Sequence, residues 1–170
     1  MKLYDLPQES VVLCTAIGKK SGQVLATGGQ DRKVSVWALG NKTPLLSLAG
    51  HSSAVSSLAL DWQEELVVAG SASGAIKLWD LDSAKVVRTL IGHKSTATAL
   101  EFHPFGDFFA SGSKDLTIKI WDIRRKGCIQ TYQGHSGEIE SLKITPDGRW
   151  IATASEKTVK IWGTFSFLKK

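Results

Sequence analysis

Short apolar runs alternate with polar turns along the whole chain, and almost every run has room for a strand but not for a helix of several turns. Such runs lie at 11–17, 24–28, 33–37 and near 45–48, then at 55–60, 66–69, 75–79 and 85–90. They continue at 96–102, 108–111, 117–121 and 128–132, and end with 138–144, 150–153 and 158–162. They are rich in β-branched residues and broken by Gly, Pro, Asp and Ser, which predicts strands joined by tight turns. Residues 1–10 form a polar lead-in in which Pro7 discourages regular structure. Within the third strand of each group the side chains alternate, Ile118 and Ile120 against Thr117, Lys119 and Trp121, and likewise Ile76/Leu78 against Lys77/Trp79 and Val159/Ile161 against Lys160/Trp162. Both faces carry large apolar groups, so each sheet expects a neighbour on either side. The lysine between them can lay its stem along the indole and keep its ammonium in water.

The groups recur at a fixed interval. Gly50-His51, Gly92-His93 and Gly134-His135 are each 42 residues apart, and Trp37, Trp79, Trp121 and Trp162 follow one another at 42, 42 and 41. This divides the chain into a lead-in, 1–10, and four repeats at 11–48, 49–90, 91–132 and 133–170. A period near 42 with a Gly-His opening and a Trp-Asp close resembles WD repeats, each of which folds as one four-stranded blade of a β-propeller. The implied fold class is all-β: about four blades forming an incomplete propeller with a defective last blade. Only eight residues follow Trp162, too few for a full fourth strand. An open arc would leave strand edges and blade faces unpaired.

Composition adds limits. Hydrophobic residues make up 42% and charged residues 22%, enough apolar material for a core. No apolar run approaches the roughly 18 residues of a bilayer span, and no signal-peptide pattern opens the chain, so the cytosol or nucleus is expected. Cys14 and Cys128 lie in different repeats without Cys-x-x-Cys spacing and read as two buried, reduced thiols. Of the net charge of +5, the whole excess lies in the second half: residues 1–85 hold 8 basic and 8 acidic groups, residues 86–170 hold 13 and 8. A basic half permits an acidic protein surface or nucleic acid as partner, although surface lysines alone would give the same count. Arg124-Arg125-Lys126, in a hairpin loop, is its densest cluster.

His93, Ser111 and Asp115 could be drawn as base, nucleophile and orienting acid. Related sets recur at the repeat interval, as Thr27/Asp31/Trp37 in the first repeat, His51/Trp79 in the second and His135/Thr153/Trp162 in the fourth, so a structural fastener is the simpler reading. The resemblance to WD repeats implies a hydrogen-bonded tetrad, complete only as His93, Ser111, Asp115 and Trp121. Ala69 and Ser73 replace its hydroxyl and acid in the second repeat, and Glu156 with a one-residue deletion disturbs the fourth. In the first, Gln8 or Glu9 stands where the histidine is expected. Four scattered histidines make no metal site, no phosphate-binding glycine loop is present, Gly28-Gly29 reads as a turn, and the Phe and Trp residues fall at blade-core positions. No enzyme activity, cofactor or metal is expected.

Four segments narrow the resemblance: 25–29 (Leu-Ala-Thr-Gly-Gly), 85–90 (Lys-Val-Val-Arg-Thr-Leu), 102–106 (Phe-His-Pro-Phe-Gly) and 121–128 (Trp-Asp-Ile-Arg-Arg-Lys-Gly-Cys). Together they look like the WD-repeat regulatory subunits of katanin, over roughly residues 11–162. That family implies a non-catalytic propeller that targets an AAA ATPase to microtubules and organising centres, and a separate carboxy-terminal helical domain that binds the ATPase. The likeness stops at Trp162, so a truncated chain that does not recruit the ATPase in the usual way is expected. Position in WD propellers implies a partner face around Gln30 in blade one, Thr96, Thr98 and Lys114 in blade three, and Glu138 and Glu140 in blade four, with the Arg124-Arg125-Lys126 hairpin as a further contact. Two alternatives to a cytoskeletal scaffold stay open: a basic scaffold of a nuclear or RNA-associated complex, and a truncated product without independent function.

Overall fold

A computed structural model describes residues 1, 4–106, 108–125 and 127–164. It contains fifteen strands and no helix among these residues. Blade one is the sheet β1 (Val12–Ile17), β2 (Val24–Gly29), β3 (Val34–Ala38) and β4 (Leu46–Leu48), in that order. Blade two follows as β5 (Val55–Leu60), β6 (Leu66–Ser71), β7 (Ile76–Asp80) and β8 (Lys85–Leu90), and blade three as β9 (Ala97–Phe102), β10 (Phe108–Ser113), β11 (Ile118–Asp122) and β12 (Cys128–Tyr132). Blade four has three strands among the described residues, β13 (Ser141–Ile144), β14 (Trp150–Ser155) and β15 (Thr158–Gly163). Every pairing is antiparallel between sequence neighbours, as tight turns demand.

The sheets are arranged side by side through their first strands, β1 against β5, β5 against β9 and β9 against β13. Three apolar layers fill the spaces between blades. The first joins Ala26, Val34, Val36 and Leu48 to Val55, Leu58, Val67 and Trp79, and the second joins Val68, Ile76, Leu78 and Leu90 to Leu100, Phe102, Phe109 and Trp121. The third joins Ala110, Ile118 and Ile120 to Ile139, Leu142 and Ile151. Burying a side chain of this size contributes roughly 1.5–3 kcal/mol each, so the layers dominate the stability of the array.

A glycine in the second strand of each of the first three blades admits the next blade. A Cβ on Gly28 would lie 2.5 Å from Val55 Cγ1, on Gly70 2.7 Å from Ala97 Cβ, and on Gly112 2.4 Å from Ile139 Cγ2. Gly28 and Gly29 therefore belong to strand β2 and not to a turn. The first strands of blades one to three share a bulge near their starts, at Val12/Cys14, Val55/Ser57 and opposite Gly112/Ser113.

Other expectations are corrected. The strand expected at 138–144 begins at Ser141, because Ile139 N–H bonds to Ser113 O of blade three before the ladder is entered. Cys14 is only partly buried and Cys128 is exposed; both are free thiols. Burial raises the Cys14 thiol pKa to about 12, partly opposed by its bond to Gly28 O. Trp62 and Phe105 are not core residues, being 52% and 77% exposed at turns. The two-sided coverage inferred from alternation fails at the last blade, where Val159 and Ile161 are exposed.

Candidate protein-interaction surface

In blade three the turn before β9 carries His93, β10 carries Ser111, the β10–β11 turn carries Asp115 and β11 carries Trp121, and the structure brings all four together. Trp121 Nε1–H donates to Ser111 Oγ at 2.8 Å, and Ser111 Oγ lies 2.6 Å from His93 Nε2. His93 Nδ1 lies 2.9 Å from Asp115 Oδ2. The Asp115 carboxylate can only accept, so Nδ1 of the neutral ring carries the proton and donates to it, which leaves Nε2 to accept from the Ser111 hydroxyl while Ser111 accepts from Trp121. Burial lowers the His93 pKa, partly opposed by Asp115. Burial alone would raise the Asp115 pKa, but bonds from Thr117, the Lys94 N–H and His93 hold it at about 2. Ser111 is fully buried and bonded on both sides, and none of the described cavities is lined by it. The hydroxyl and imidazole stand as they would around a nucleophile, with Ser111 enclosed by the blade.

The other blades hold parts of the set. In blade four Trp162 Nε1–H donates to Thr153 Oγ1 at 2.8 Å, which lies 2.7 Å from His135 Nε2. Glu156 has left-handed φ of 44° and leans over Gly137, where an added Cβ would meet its Cδ at 2.6 Å, so no acid completes the set. In blade one Trp37 donates to Thr27 at 3.0 Å and Thr27 to Gln8 Oε1 at 3.4 Å, so Gln8 fills the histidine's place. Asp31 is exposed there and, among the described residues, accepts from the Lys33 N–H alone. In blade two Ala69 offers no hydroxyl: His51 packs on Trp79 at 5.4 Å, neither of its buried ring nitrogens makes a hydrogen bond among the described residues, and burial aided by Lys77, partly opposed by the Ala69 backbone, lowers its pKa to about 4.

On the face expected to bind partners, Lys114 and Glu138 form an exposed ion pair of 2.9 Å between blades three and four. Thr98 and Glu140 line one axial space with residues of all four first strands. The threonine hydroxyls are engaged between blades, Thr96 with Ala72 O and Thr98 with Ile139 O, so they present less polar surface than their residue type suggests. Gln30 is exposed in blade one, its backbone N–H bonded to Val11 O. In the basic hairpin Arg124 forks onto Asp122 at 3.2 and 3.3 Å, and Arg125 lies 3.8 Å from the same carboxylate. Burial would raise the Asp122 pKa, but Arg124 and Arg125 lower it. Lys126 lies outside the described residues.

The repeat pattern does not single out the opposite face. There Glu101, nearly buried, accepts from Lys19 at 2.7 Å and Lys143 at 2.8 Å, tying blade three to blades one and four. Beside it a cavity of about 620 Å³ is lined mostly by apolar groups, among them Leu60, Trp62, Phe102, Phe105 and Ile144. The available signal was aromatic residues in turns, where polar ones are usual.

The family model described as WD domain, G-beta repeat matches residues 6–38, 42–80, 84–122 and 126–163. The chain is similar to a katanin p80 WD40 repeat-containing subunit B1 homolog of Arabidopsis thaliana, 57% identical over 74 residues, 43% of this chain and 9% of that protein. It is similar to a second such Arabidopsis thaliana homolog, 54% identical over 69 residues, 41% of this chain and 6% of that one. Its likeness to the katanin p80 WD40 repeat-containing subunit B1 of Danio rerio is 50% over 75 residues, 44% of this chain and 11% of the fish protein. Each match thus spans about a tenth or less of the relative's length.

Proposed function

The chain belongs to the WD domain, G-beta repeat family, and from that premise we propose that it is a non-catalytic scaffold that helps target microtubule-severing machinery to microtubules. The observation that carries this reading is the 57% identity to a protein named as a katanin p80 subunit homolog. Two features support it. The nucleophile-like constellation of blade three is enclosed and held by the blade's own indole, which suits a fastener. The excess positive charge falls in the second half, where Arg124 and Arg125 are 61% and 73% exposed, and it complements the acidic surface of a microtubule. In this reading the Lys114–Glu138 pair, Glu140, Thr96, Thr98 and Gln30 form the narrow-face contact for a protein partner, and the Arg124-Arg125-Lys126 hairpin meets acidic protein. The site of action is the cytoplasmic microtubule array and its organising centres, and the partner complex is that of the katanin ATPase.

Cosedimentation with stabilised microtubules in graded salt tests this. Binding that weakens as ionic strength rises is expected. No binding, or binding indifferent to salt, would contradict direct contact, and preferential binding to RNA would favour a nuclear or RNA-associated scaffold.

A further inference from the structure

We infer that the first and last blades are complementary halves of one joint, and that two copies of this chain dock through them, the last blade of each against the first blade of the other. Three joints inside the chain define the contact. Each is made by an outgoing face, such as Ala110, Ile118 and Ile120, covered by an incoming face, such as Ile139, Leu142 and Ile151. The same outgoing positions in the last blade are Ala152, Val159 and Ile161, and the same incoming positions in the first, by strand register, are Val12, Thr15, Ile17 and Leu25.

The described residues leave both faces uncovered. Val34, Val36, Ile76, Leu78, Ile118 and Ile120 are buried, while their counterparts Val159 and Ile161 are 70% and 61% exposed. On the other side Val55 and Leu60 are buried, whereas Val12 and Ile17 are 39% and 60% exposed. Among the described residues the first and last blades do not cover each other, and they present two unlike apolar surfaces whose geometry is already matched three times within the chain. A second copy supplies the missing half of each. Because the faces differ, the contact is head-to-tail, and two joints made at once close a ring of eight blades, within the range that propellers occupy. One feature keeps the joint looser than those within the chain: Ala154 stands where Gly28, Gly70 and Gly112 admit the next blade.

The test uses the 170-residue chain and two variants at exposed positions, Ile17→Lys and Ile161→Lys, in sedimentation equilibrium from 1 to 100 µM. Wild type is expected to reach twice the 18.4 kDa of one chain, and each variant alone to lose dimer by at least tenfold in dissociation constant. Mixing the two variants restores association, because the unmodified last blade of Ile17→Lys meets the unmodified first blade of Ile161→Lys; a variant that had failed to fold could not do this. A wild-type monomer at 100 µM would assign the faces to another occupant and overturn the inference. So would a mixture that stays monomeric, or association indifferent to both substitutions. None of these outcomes bears on microtubule binding, which is measured separately.

Discussion

Replacing Ser111 by alanine removes one oxygen and leaves two buried partners stranded. Trp121 Nε1–H loses its 2.8 Å acceptor and His93 Nε2 its 2.6 Å donor, both in places that water does not reach. An unsatisfied buried polar group costs roughly 1–3 kcal/mol, so with some relaxation the variant should lose ~2–4 kcal/mol. For a chain of this length that is a fall in Tm of roughly 5–15 °C. Blade two is the natural comparison, because Ala69 and Ser73 replace the hydroxyl and the acid, and among the described residues neither His51 ring nitrogen makes a hydrogen bond. Ala69→Ser should therefore move stability the other way, by about 1 kcal/mol. Urea unfolding followed by tryptophan fluorescence reads both. A loss below about 0.5 kcal/mol for Ser111→Ala would refute the idea that the hydroxyl fastens the blade, and equal losses for the two changes would refute the comparison.

Three further outcomes follow from particular residues. With its pKa lowered to about 4, His51 is neutral when folded, while the unfolded chain takes up a proton near 6.5; the stability it contributes is complete above pH 6.5 and is lost as pH falls towards 4. His51→Leu should flatten thermal stability in that window, and an unchanged pH profile would count against it. Leu116 has φ of 70° at the turn position that Gly74 occupies with φ of 85° in blade two, so Leu116→Gly should raise stability by roughly 0.5–1 kcal/mol, visible as a higher Tm. The Lys114–Glu138 pair is about half exposed and contributes little to folding, so Lys114→Glu should weaken capture of a protein partner in a pull-down while leaving the unfolding midpoint nearly unchanged.

The interval of 42 residues made the sheets legible, because each strand's alternation repeats where the next blade needs it. It also marked His93, Ser111, Asp115 and Trp121, since a polar residue repeated inside an apolar layer must find a partner. What periodicity hides is contact across blades. Gly28 looks like a turn residue until Val55 is seen 2.5 Å from where its Cβ would stand. Glu101 looks like a surface charge within its own strand, yet Lys19 and Lys143 reach it from 82 and 42 residues away. Trp62 and Phe105 follow the general preference of aromatics for cores only until the turns carry them outward.

The central claim is that in blades one, three and four a single hydroxyl holds the blade's indole. Hydrogen exchange of the six tryptophan indole N–H groups, resolved by NMR, tests it most directly. Trp37, Trp121 and Trp162, bonded to Thr27, Ser111 and Thr153, should exchange slowly, and Trp62, 52% exposed, should exchange fast. Alanine at each hydroxyl should speed the indole of its own blade and leave the others slow; six indoles exchanging alike, or a substitution that speeds them all equally, would contradict the account.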